Sequence, residues 1–88
     1  MNIAILDLAN EALAQISPMA EAGWAPAQSI ERQLRWCVGF ASDQATEPRP
    51  GPFTMGLIAT RELDMYGDQP ELASLINQVQ KEIERVLG

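Results

Sequence analysis

Four stretches of the chain repeat apolar residues at the three-and-four spacing of an α-helix, and none alternates convincingly as a strand. In the first, residues 2–22, a stripe of Ile5, Leu8, Ala9, Ala12, Leu13, Ile16, Met19 and Ala20 faces away from Asp7, Glu11 and Gln15. Ser17-Pro18 interrupts it. Proline lacks an N–H and crowds the carbonyl of Ala14, so a kink or a break into two pieces is expected. Gly23 is the expected C-cap, and Pro26 opens a second helix over 26–42. Its inward stripe is Ile30, Leu34, Cys37, Val38 and Ala41, with Trp36 and Phe40 as an aromatic ridge beside it. Core packing is the first role for that ridge. An aromatic anchor for a partner, with Trp24 as its alternative, is the second.

The third helix is predicted over 52–66, where Met55, Ile58, Ala59, Leu63 and Tyr66 share one face. Gly56 within it costs roughly 1 kcal/mol against alanine, and close approach of a neighbouring helix is the expected compensation. Gly67 is placed to end this helix in a left-handed conformation. The fourth helix, 68–87, carries the clearest stripe: Leu72, Leu75, Ile76, Val79, Ile83 and Val86, opposite Lys81, Glu84 and Arg85. Asp68 and Glu71 have the spacing of a capping box, and Pro70 falls in the first turn, where its missing N–H costs nothing. Between the second and third helices, residues 43–52 hold three prolines and a glycine, which forbid regular structure and mark a surface spacer. The predicted fold is all-α: a single domain over 1–88, folded as a compact antiparallel bundle of about four helices.

Composition narrows the function more than the fold. Twelve acidic against six basic side chains give a net charge of −6, which repels phosphate backbones and anionic membranes and suits a basic protein partner. The single cysteine excludes an internal disulfide and fits a reducing compartment. No basic region precedes the first apolar run, as a secretory leader requires, and no run is long enough to span a membrane. A cytoplasmic location is the expectation.

Most catalytic vocabulary is missing. With no histidine and one cysteine there is no Ser-His or Cys-His pair and no zinc or copper cluster. Gly51 and Gly56 are isolated and form no phosphate-cradling loop. Glu62 and Asp64, two apart on a helix, point to different sides. A carboxylate metal or acid–base site from Asp64, Asp68 and Glu71 is the remaining option for chemistry, and helix capping accounts for two of those three without it. No enzyme activity, no cofactor and no metal are expected.

The residues from the second helix onward resemble a family. The runs are Glu31-Arg32-Gln33-Leu34-Arg35-Trp36, then Met55-Gly56-Leu57-Ile58-Ala59-Thr60-Arg61-Glu62-Leu63-Asp64, and finally Pro70-Glu71-Leu72. They are similar to the small immunity proteins that protect bacteria from type VI secretion effectors carrying an NAD(P)-glycohydrolase toxin domain. The resemblance covers roughly residues 28–80. The Pro-rich connection and two extra residues around Tyr66-Gly67 depart from the family pattern. The resemblance implies an all-helical inhibitor that binds its cognate toxin domain in the cytoplasm and caps or distorts the NAD-binding cleft.

The expected contact residues are Arg61, Glu62, Asp64, Met65, Tyr66 and Asp68, with Trp36 as aromatic anchor. The competing role for the charged members is a solvated face beside a capped turn. The competing role for the whole chain is a small acidic helical adaptor or dimerisation module, self-associating through leftover apolar surface.

Overall fold

A computed structural model describes residues 1–45 and 47–88. It contains four helical elements: α1 (Ile3–Glu21), α2 (Ala25–Ala41), α3 (Met55–Ala59, continued by a wider turn over Thr60–Met65) and α4 (Pro70–Leu87). Helices α1 and α3 each pack against both α2 and α4, so the four stand in a ring around one core. The Cα radius of gyration is 12.0 Å, the value of about 12 Å expected of a compact chain of this length. No described helix is long and apolar enough to cross a membrane.

Helix α1 is set by its two ends. Asn2 caps it, its Oδ1 accepting from the Ile5 N–H at 3.0 Å. Gly23, at φ +94°, ends it. The Gly23 N–H donates to Ala20 O and the Trp24 N–H to Met19 O, the bond pair of a Schellman motif. Trp24 O then accepts from the Gln28 N–H, so α2 starts at once in the opposite direction. The far ends meet where the Asn2 N–H donates to Ala41 O at 2.8 Å. The stripes interdigitate as predicted, with Ile5, Ala9, Ala12 and Ile16 of α1 and Ile30, Leu34 and Cys37 of α2 fully buried.

Pro18 neither breaks α1 nor ends it: the helix runs unbroken to Glu21. Two things reduce the cost. The proline lies in the last turn, so little helix follows the lost bond, and Ile16 and Ala20 are buried on either side of it. Packing of the flanking residues holds the last turn in place.

Helix α3 starts at Met55, three residues later than the pattern predicts. Pro52, Phe53 and Thr54 remain outside the helix, and Phe53 is buried in the core. In the connection, where Thr46 lies outside the described residues, the chain is exposed from 47 to 50 but anchored. The Trp36 indole N–H donates to Glu47 O at 3.0 Å. The Trp36 ring stacks on Phe40 at 5.4 Å and meets Phe53 tilted at 5.9 Å.

Candidate functional site

The second half of the molecule is held by side-chain amides, one of them buried. Gln33 is the one buried polar side chain among the described residues. Its Oε1 accepts from the N–H groups of Thr54 and Met55, both at 2.9 Å, and its Nε2 donates to Thr54 Oγ1 at 3.1 Å. A residue of α2 thus caps α3, whose first N–H groups have no partner within their own helix. One residue on, Gly56 is clamped from α4. Its N–H donates to Gln80 Oε1 at 2.8 Å, and its carbonyl accepts from Asn77 Nδ2 at 3.2 Å. Asn77 Nδ2 also lies 3.0 Å from Thr60 Oγ1. A Cβ on Gly56 would stand 2.5 Å from Asn77 Oδ1, so the close approach expected of this glycine is present.

The wide turn comes next. The Tyr66 N–H donates to the carbonyl of Arg61, five residues back, at 2.9 Å. One residue more than an α-turn needs is accommodated there, which rotates the next residues by about 100° around the axis. Leu63 stays buried, but Tyr66, predicted on the same buried face, is 74% exposed. Gly67 then lets the chain pass over the turn. A Cβ there would lie 2.7 Å from Glu62 O and 2.8 Å from Leu63 O. Its φ is not in the left-handed range, so backbone proximity, and not the predicted left-handed conformation, makes glycine necessary.

The predicted capping box does not form either. The N-cap of α4 is Gln69, which makes no side-chain cap bond; its backbone N–H donates to Leu63 O at 2.9 Å. Pro70 occupies the first turn as predicted. Asp68 and Glu71 are exposed, and neither forms an ion pair among the described residues.

Six of the seven predicted contact residues therefore lie on one corner between α3 and α4. Met65 is 68% exposed. Arg61, Asp64 and Asp68 are exposed, and Glu62 is half-buried, 3.5 Å from Arg61 Nε. Leu57, eight residues before Met65, is equally exposed; its position beside the Met55–Ile58–Ala59 stripe was the available sequence signal. Trp36 is elsewhere. It lies half-buried on α2, packed against Phe40 and Phe53, at the wall of a groove of about 290 Å³. Trp24 stands at the α1–α2 turn, 38% exposed.

Reactive groups do not converge. Among the described residues, no three His, Cys, Asp or Glu side chains are placed to hold a metal ion. Cys37 is buried among apolar side chains, and desolvation pushes its thiol up to about 12. The arrangement offers a shaped surface: two large apolar side chains, Met65 and Tyr66, amid carboxylates on a clamped turn. Compared with family models, with curated proteins and with solved structures, the chain matches none.

Proposed function

We propose that the protein is an immunity-type inhibitor, a helical module that binds a secreted antibacterial toxin domain in the cytoplasm and blocks its active cleft. The exposed Met65–Tyr66 pair, flanked in the chain by the exposed Asp64 and Asp68, carries this reading. Large apolar groups held in water beside charged ones have the composition of an interface core and rim. Turns of the π type recur at functional sites, and here Gln33, Asn77 and Gln80 fix the element that presents the pair.

The toxin chemistry comes from the family resemblance of residues 28–80, which points to an NAD(P)-glycohydrolase delivered by type VI secretion in interbacterial competition. A cleft that attracts an anionic pyrophosphate is positively charged. Carboxylates on the inhibitor speed association with such a cleft, and occlusion then needs no chemistry of its own.

Co-expression in a bacterium with an NAD(P)-glycohydrolase toxin domain encoded beside this gene tests the reading. Survival with preserved NAD(P) and a recoverable complex is the expected result. Survival where the toxin alone leaves NAD(P) intact would keep inhibition and reassign the toxin. Death with no complex would overturn the proposal in favour of the adaptor reading.

A further inference from the structure

The chain is acidic overall, yet half of its six basic residues fall between Arg32 and Arg49. Two of them, Arg32 and Arg35, line the groove on α2 together with Trp36, Gly39, Gln44, Ala45 and Glu47. They follow one helix face, at i, i+3, i+4 and i+7 through Arg32, Arg35, Trp36 and Gly39. Among the described residues, the groove is lined by α2 and by Gln44, Ala45 and Glu47 of the connection, which is anchored by the Trp36–Glu47 bond. Arg32 has no ion pair among the described residues, and Arg35 has only an exposed one to Glu31 at 3.2 Å. Two guanidinium groups thus stand against the single groove carboxylate of Glu47. At about 290 Å³ the groove accommodates one aromatic side chain.

The α3–α4 corner is the counterpart. It presents an aromatic side chain, Tyr66, beside Met65, with Asp64 and Asp68 on either side and neither of them paired among the described residues. We infer that the corner of one copy docks into the Arg32–Arg35–Trp36 groove of a second copy. Tyr66 packs at the Trp36 wall, and the two aspartates meet the two arginines. The contact is heterologous, joining different surfaces of the two copies. It is a weak one, because the patches are small and two molecules of net charge −6 repel. The inference does not depend on the toxin reading, although it uses the same corner. A partner that takes the corner would release the copy held there.

Sedimentation velocity on the full chain tests it, at concentrations from tens of micromolar to about 1 mM, the range of weak encounters. The wild type should show a mass that rises with concentration. The groove variant Arg32→Glu/Arg35→Glu and the corner variant Asp64→Lys/Asp68→Lys should each remain monomeric. An equimolar mixture of the two should associate again, because each then offers the charge that the other lacks. Tyr66→Ala, which leaves the charges alone, should weaken self-association at least tenfold. Circular dichroism on each variant checks that it is folded.

A wild type that stays monomeric throughout, or variants that associate as well as the wild type, would overturn the inference. So would a mixture that stays monomeric. A monomeric wild type whose groove nevertheless binds a Glu- and Tyr-rich peptide would also overturn it, and would assign the groove to an acidic segment of another protein.

Discussion

The two halves of the bundle are held by different means. Between α1 and α2 the contact is apolar along its length, and hydrogen bonds join the two only near their ends, at Asn2–Ala41 and Ala20–Gln28. Helix α3 is too short to do the same. It is stitched at its start by three amides, Gln33 from α2 and Asn77 and Gln80 from α4. Apolar burial is non-directional and tolerant of small shifts, whereas an amide bonded to the backbone fixes position and register. The tolerant half is a scaffold. The stitched half carries the exposed Met65–Tyr66 corner, the surface proposed for binding.

Substitutions can break each half by its own means. Ile16, fully buried in α1, should cost about 3 kcal/mol as Ile16→Ala through the cavity left behind; urea denaturation measures it. Gly67→Ala should rank second at about 2–3 kcal/mol, because its Cβ would press on two backbone carbonyls that cannot swing aside. Gln33→Ala should cost about 2 kcal/mol by uncapping α3. Its signature is local: hydrogen exchange should accelerate at Thr54 and Met55 before it does in α1. Uniform acceleration across all four helices would remove the distinction between the halves.

A smaller effect reports on the core behind α2. Burial raises the Cys37 thiol from 9.0 to about 12, so the folded state disfavours the thiolate that the unfolded chain forms. That stability is fully present below pH 9 and declines as pH rises from 9 towards 12. At pH 10 the loss should be about 1 kcal/mol relative to pH 8, and it should vanish in Cys37→Ala. The smallest effect belongs to the corner. Tyr66→Ala should leave stability within about 0.5 kcal/mol of wild type, as exposed positions do.

How much the sequence revealed divides along the same line. The 3.6-residue period placed α1, α2 and α4, and Gly23 marked a real left-handed turn, because those signals are local. Pro18 misled because packing of Ile16 and Ala20 outweighs a local penalty near a helix end. Around α3 the determinants are not local. The residue that caps it lies 21 positions upstream of Thr54, and its clamps lie 21 and 24 positions downstream of Gly56. Asp68 and Glu71 have capping-box spacing, but the Leu63 carbonyl takes the N–H that starts α4. Within the family-like runs, Gln33, Gly56 and Ile58-Ala59 serve the fold. Of the six corner residues, Arg61, Glu62, Asp64, Met65 and Asp68 fall off the apolar stripe, which is why their exposure was readable, whereas Tyr66 falls on it and is exposed by the wide turn. Trp36 was not separable from them, since its distance from the corner depends on how α2 meets α3.

The most direct test of the corner is the association rate with the proposed toxin partner, measured by stopped flow for wild type and for Glu62→Lys/Asp64→Lys. If the corner is the contact surface, association slows at least tenfold while the melting temperature stays close to that of wild type. An unchanged association rate in a folded variant would place the interface elsewhere on the molecule and contradict the role given to the corner.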